Sequence, residues 1–251
     1  MTKLVTFGCS WTYGIGSAYV GGKDPVSEYN RLLWNSGNHK DDTNSFRKIL
    51  CERHNFSNVN FSQGGSSNQK QFRLATEYFN KPIEEETIVL WGITSTARNE
   101  FWSNHIEKYK PKGKICSIHY NICKSNPLEE LSDLMRRNHY NHESEVSILT
   151  ERMLHWNNYF RMLGVKNYWF DTFSHNDYDI PNMCWSGEKP RDLLSKLTGI
   201  DEDKVHFSNW KNDCLRITKG VEDGTLNPYT FHPTRRGHEI ISDMFTRHLF
   251  L

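Results

Sequence analysis

Apolar residues fall along this chain in two rhythms, and the two mark out its elements. Short continuous runs rich in β-branched and aromatic residues occur at Lys3 to Phe7, Val59 to Phe61, Glu86 to Trp91 and Val165 to Phe170. Strands buried on both faces of a parallel sheet have that composition. Elsewhere apolar positions recur every three or four residues, as on one face of a helix. Such a helix is predicted near Ser45 to His54, with Phe46, Ile49 and Leu50 inward and Thr43 or Asn44 as its cap. A second opens in the loop at Ser62 to Asn68 and ends near Phe79, and a third covers Leu128 to Asn138. A fourth covers Glu143 to Leu163, with Val146, Leu149, Met153, Trp156, Phe160 and Leu163 on its apolar face and Gly164 as the stop signal. The last runs from about Arg235 to His248, turning Ile240, Ile241, Met244, Phe245 and Leu249 inward.

Strands alternating with helices predict an α/β protein: a three-layer α/β/α domain with a mostly parallel, flavodoxin-like sheet and right-handed crossovers. One domain is expected over residues 1–251, with irregular insertions at about 94–140 and 171–230. The second insertion should hold a short helix at Pro190 to Leu197 and a strand at Val205 to Phe207. Gly16 to Lys40, polar and glycine-rich with Tyr19, Tyr29 and Trp34, is too long for a tight turn and reads as a lid.

Charge and composition narrow the function classes. Lys and Arg number 31 against 30 Asp and Glu, a net +1, so no excess field holds a polyanion and no nucleic-acid partner is expected. Hydrophobic residues are 36% of the chain, low for a compact domain, but 13% aromatics with 8 Trp restore apolar area and point to a folded chain. The first strand starts almost at Met1, leaving no room for a signal peptide, and no apolar run approaches membrane length. A soluble, cytoplasmic protein with no membrane partner is expected. Six cysteines contain no C-x-x-C pair and the twelve histidines no zinc-binding helical spacing, so buried or idle thiols and no metal or cofactor are expected.

The chemistry-bearing positions follow the strands. Three glycine-marked loops, at Gly8, Gly64-Gly65 and Gly92, come after three strands. In a parallel sheet all three open on one edge, where such folds bind their ligands. Ser10 lies two residues past the first glycine, where a strand end presents a hydroxyl; the same serine would equally serve to cap the following helix. Backbone N–H groups at the helix-opening loops, Gly65 and Ser10 among them, are natural donors to an oxyanion. A serine at its free pKa needs a base. His232, just before Pro233 and the last helix, can reach back over the sheet edge to supply it.

Gly8-Cys9-Ser10-Trp11-Thr12-Tyr13-Gly14 resembles the first block of the SGNH hydrolases, the GDSL-type esterases and lipases. Asn60 to Asn68 is similar to their second block, Trp91-Gly92-Ile93-Thr94 stands where the third belongs, and His232-Pro233-Thr234-Arg235-Arg236-Gly237-His238 is similar to the family's H-P-x-x-x-G-h ending. The ordered blocks cover about a fifth of the chain. The resemblance implies the SGNH fold, Ser10 as nucleophile, His232 as base, and Ser10 and Gly65 as oxyanion donors. Thr94 replaces the oxyanion Asn, with Asn68 as a spare candidate; Cys9 replaces the family's Asp before the serine. Tyr229 occupies the place of the Asp that orients the histidine, a role for which a backbone carbonyl, Asp171, Asp213 or Asp223 is available. A Ser–His dyad is the mechanism this implies, acting on a small ester such as an O-acetyl group on a carbohydrate. Arg98 is placed to hold an anionic substrate, and Trp11, Tyr13, Trp34 and Trp102 to stack on a sugar ring. Three other readings stand beside it: a binding or structural protein keeping the fold with a decayed site, an acyltransferase using the same residues, and a phosphodiesterase drawing on Arg98 with Arg235 or Arg236.

Overall fold

In the computed structural model the described residues form twelve elements: β1 (Lys3–Phe7), α1 (Ser10–Tyr13), α2 (Phe46–His54), β2 (Ser57–Asn60), α3 (Asn68–Tyr78), β3 (Thr87–Ile93), β4 (Arg98–Ser103), β5 (Lys114–His119), α4 (His142–Met162), β6 (Lys166–Asp171), β7 (Met183–Trp185) and α5 (Arg235–Phe250). The structure describes residues 1–15, 17, 42–103, 114–119, 134, 137, 139–172, 178, 180–185 and 232–250, with the backbone alone at 101–103, 114–119 and 185. The lid segment, the helix expected at 190–197, the strand expected at 205–207 and Tyr229 lie outside these residues, as does most of the helix expected at 128–138.

Among the described residues the main sheet has five strands in the order β2-β1-β3-β6-β7, every pair parallel. This is the flavodoxin-like order, and it reverses direction between β1 and β3. Alternation along the strands divides the core in two. Leu4, Ile88, Leu90 and Phe170 face one way and pack with Phe46 and Leu50 of α2 and Ile241 and Phe245 of α5. Val5, Phe7, Val89, Trp91, Ile93 and Trp169 face the other way, against Phe72 and Ala75 of α3 and Leu149, Met153 and Phe160 of α4. The result is a three-layer α/β/α sandwich. Phe7, Trp91 and Trp169 stand in register on β1, β3 and β6 and stack in a row, with ring centroids 4.4 and 4.8 Å apart.

The structure adjusts several expectations. Ser45, not Thr43 or Asn44, is the N-cap of α2. The third strand continues through Gly92 to Ile93, where a stop at Gly92 was expected. Part of the first insertion forms the antiparallel hairpin β4–β5, which carries its own sheet, and β7 adds an unforeseen edge strand. Among the described residues no helix is long and apolar enough to cross a membrane.

Candidate active site at the β1/β3 switch point

The crevice beyond the carboxyl ends of β1 and β3, where the strand order reverses, is where folds of this order place their ligands. Ser10 follows β1 and Thr94 follows β3, so both lie there by topology. Ser10 is the first residue of α1 and not its cap; Cys9 holds the N-cap position and makes no side-chain capping bond. Ser10 is 7% exposed.

Direct contacts draw the three glycine-marked loops together. A Cβ on Gly8 would lie 2.0 Å from Thr12 Oγ1, and one on Gly92 would lie 2.1 Å from the same atom. Both glycines therefore make room for the Thr12 side chain, which wedges between the ends of β1 and β3. The second loop is tied to the first by Gln63 N–H donating to the Gly8 carbonyl at 3.1 Å. Gly65 adopts φ +72° with open space where a side chain would be, a turn that glycine makes without strain.

Asn68, at the start of α3, joins the second loop to the third. Its amide donates to the Thr94 carbonyl at 2.8 Å, and Thr94 N–H donates back to its oxygen at 2.9 Å. Gln71, one turn on, donates to the Gly92 carbonyl at 3.0 Å. Arg98 Nη1 donates to Thr94 Oγ1 at 2.9 Å. Asn68 thus holds Thr94 by both its backbone groups, and Arg98 reaches its hydroxyl.

Cys9 is fully buried, its sulfur 3.4 Å from Thr172 Oγ1. Thr172 gives its hydroxyl proton to the Ile93 carbonyl at 2.6 Å, so the Cys9 thiol is the donor in the pair. The residue before the serine therefore ties the end of β1 to the end of β6.

The His232 region reaches the same edge through a chain of contacts. Gly14, which closes α1 with φ +100°, lies against Ser45, a Cβ there coming within 2.5 Å of Ser45 Cβ. Arg47 of α2 donates to the Tyr13 carbonyl at 3.1 Å, sits over the Tyr13 ring and pairs with Asp42. Burial lowers this guanidinium to about 10, so it stays charged at neutral pH. The N–H of Phe46, the residue before Arg47, donates to His238 Nδ1 at 3.3 Å, and the two rings stack. His238 is fully buried; burial, then His232, then Arg47 push its pKa down to about 3. His232 itself is half-buried, and α5 is capped by Thr234, whose hydroxyl accepts from Gly237 N–H at 3.3 Å. Among the described residues no hydrogen bond joins the Ser10 hydroxyl to the His232 ring.

The remaining candidates are placed as follows. Asp171 is fully buried at the end of β6, and alternation from Trp169 turns it to the α3–α4 face, across the sheet from α5. Trp11 is packed into the apolar cluster under α2 and α5, leaving 7% of its surface for a ligand, and Tyr13 is half-buried beneath Arg47. Asp213, Asp223, Trp34 and the Trp102 ring lie outside the described residues. Among those described, no group of three His, Cys, Asp or Glu is arranged to hold a metal ion. The Asn68–Thr94 clasp was not expected from the sequence, which carries no local signal for a side chain that bonds a backbone 26 positions away.

No protein-family model matches the chain, and no curated protein matches it. Solved structures do. A carbohydrate esterase whose active site displays divergent catalytic and non-catalytic binding functions is 9% identical, at a TM-score of 0.44 over 98% of this chain and 67% of that one. A member of the lipolytic G-D-S-L family from Veillonella parvula is 10% identical, at a TM-score of 0.41 over 98% and 97% of the two chains. An extracellular lipase from Streptomyces rimosus is 10% identical, at 0.36 over 99% and 100%. The chain is thus similar in structure to G-D-S-L lipolytic proteins and a carbohydrate esterase, at a distance that assigns no chemistry to Ser10 or its neighbours.

Proposed function

We propose that this chain is a serine esterase of the SGNH kind, hydrolysing a small ester, with an O-acetyl group on a carbohydrate as the favoured class. The observation that carries the reading is the drawing together of the three glycine-marked loops at the β1/β3 switch point, where Ser10 follows β1, through Thr12, Gln63 and Asn68. His232 takes the Ser10 proton as Oγ attacks the ester carbonyl. The tetrahedral oxyanion is held by N–H groups of Ser10 and Gly65 and by Thr94, each donor contributing about 3 to 4 kcal/mol in the transition state. Collapse expels the alcohol, protonated by His232, and leaves an acyl-enzyme. His232 then activates water, and acid and free Ser10 are released. Transfer to a sugar hydroxyl in place of water would use the same groups. The free thiols at Cys9, Cys51 and Cys184 suit a cytoplasmic setting.

A second reading, a binding protein with a decayed site, is favoured by the lack of a Ser10–His232 hydrogen bond among the described residues. Catalytic hydrogen bonds often tighten only when substrate binds, so the esterase reading keeps precedence. A fluorophosphonate probe with nitrophenyl acetate turnover decides between them. The esterase is expected to be labelled at Ser10, with Ser10→Ala losing both label and turnover. A folded wild type that takes no label and turns over no ester in a panel is the binding protein.

A further inference from the structure

We infer that α4 carries a self-association surface, on which a second copy of this chain lays its own α4 in antiparallel register about a two-fold axis at His155.

Leu149, Met153, Trp156 and Phe160 turn one stripe of this 21-residue helix onto the sheet. A further set of its apolar side chains has no such cover. Of the eight large apolar side chains exposed among the described residues, Ile148, Leu154, Tyr159, Met162 and Leu163 lie on α4 or its C-cap, so the exposure is concentrated on one element. Ile148, Arg152, His155, Tyr159 and Met162 follow one another at intervals of four, three, four and three residues. At about 100° per residue they form one stripe roughly 21 Å long, with the spacing that helices use to pack along one another. Beside its middle, Thr76, Phe79 and Asn80 from the end of α3 and His155, Trp156 and Tyr159 line an apolar cavity of about 390 Å³, which a helix lying along the stripe would cover.

The order of residues along the stripe identifies the occupant, because reversed about His155 it matches itself. An antiparallel copy sets Ile148 against Met162, Arg152 against Tyr159 and Glu151 against Asn158, and each pair occurs twice, as a two-fold axis requires. The first pair is apolar, the second puts a guanidinium on a ring face, and the third lets an amide donate to a carboxylate. Arg152 and His155 are exposed and open to such contacts. Tyr159 is already positioned, since its hydroxyl donates to the Phe79 carbonyl at 3.0 Å and less freedom is lost on docking.

Charge sets the direction. Along α4 the charged residues run Glu143, Glu145, Glu151, Arg152, Arg161, acidic first and basic after. Antiparallel copies lay the acidic half against the basic half and oppose the two helix dipoles. Parallel copies would hold like charges within a screening length, about 8 Å at physiological salt.

Sedimentation velocity of the full chain over a concentration series should show monomer giving way to dimer below about 100 μM. Ile148→Glu and Met162→Glu should each raise the dimer dissociation constant about tenfold or more, with far-ultraviolet circular dichroism unchanged. Disulfide trapping then reads the register. With Cys116, Cys123 and Cys214 replaced by serine, His155→Cys should cross-link to itself under mild oxidation. Glu143→Cys, about 18 Å along the helix from the axis, should not. If the serine background does not fold, sedimentation of the two glutamate variants, which keep the native cysteines, decides the matter. A chain that stays monomeric up to that concentration overturns the inference, as does a dimer indifferent to both glutamate variants or one trapped at 143 and not at 155. Ser10→Ala is expected to dimerise as the wild type does, so this surface stands or falls apart from the esterase reading.

Discussion

His238 shows how far one buried side chain can set the chemistry of its neighbourhood. Its Nδ1 accepts from Phe46 N–H, so the ring's one proton sits on Nε2, and burial keeps the ring neutral with a pKa of about 3. An unfolded histidine titrates near 6.5, so between these values the unfolded chain binds a proton that the folded chain excludes. The stability tied to His238 is therefore complete above pH 6.5 and is lost as pH falls toward 3. His238→Asn is the informative variant, since Asn Oδ1 can take the place of Nδ1 as the acceptor for Phe46 N–H but does not titrate. Between pH 7 and pH 5 the wild type should lose about 2 kcal/mol more stability than the variant, measured by urea unfolding. Parallel pH profiles for the two proteins would show that the neutral His238 ring is not what links folding to pH.

At the scale of elements, the contact to test is the wedge of α1 between β1 and β3. Gly92→Ala would place its Cβ 2.1 Å from Thr12 Oγ1 and 2.9 Å from Phe170 Cζ, an overpacking expected to destabilise by about 1 to 3 kcal/mol. Adding Thr12→Ala removes the nearer of these atoms and should restore much of the loss. Gly8→Ala should respond differently, because its Cβ would also lie 2.4 Å from Thr12 Cβ, which an alanine keeps. Double-mutant cycles on thermal unfolding would measure this asymmetry, and equal coupling for both glycines would refute the wedge. The wedge also explains what the sequence could and could not convey. The runs at β1, β3 and β6 and the helical spacing of α2, α4 and α5 were legible because burial on two faces or on one stripe writes itself into local periodicity. Gly92 read as a strand end because a glycine required by close approach looks, locally, like one required by a turn. The β4–β5 hairpin lies in a polar, aromatic stretch with no alternation, and β7 is only three residues long. Ser10 and Gly65 stood out through their glycine-marked loops. The contacts that Asn68 and Arg98 make with Thr94 did not, because they depend on partners that only folding brings near.

The molecule as a whole carries two layers of core with different natural reporters, which allows its expected single-domain character to be tested. Cys9, Cys51 and Cys184 all belong to the cluster under α2 and α5, while the stacked Trp91–Trp169 pair belongs to the cluster under α3 and α4. Burial pushes the Cys51 thiol up to about 11 and the Cys184 thiol up to about 12, so neither is a thiolate at neutral pH. In the folded protein these three thiols should resist a disulfide reagent and react only when their layer opens. With Cys116, Cys123 and Cys214 replaced by serine, reagent uptake reads one face of the sheet. The exciton signal of the tryptophan pair in near-ultraviolet circular dichroism, assigned by Trp91→Phe, reads the other. The shared sheet sends alternate residues of β1, β3 and β6 into both layers, so neither layer can dissolve without exposing the back of the other. Thiol exposure and loss of the exciton signal should therefore follow one urea transition with one midpoint. A thiol transition that comes first would mean that α2 and α5 open as a separate unit, and because His238 bonds Phe46, the region of His232 would open with them. If Ser10 and His232 act as proposed, fluorophosphonate labelling of Ser10 should then fall along the thiol curve and not the tryptophan curve, which would locate His232 on the less stable of the two layers.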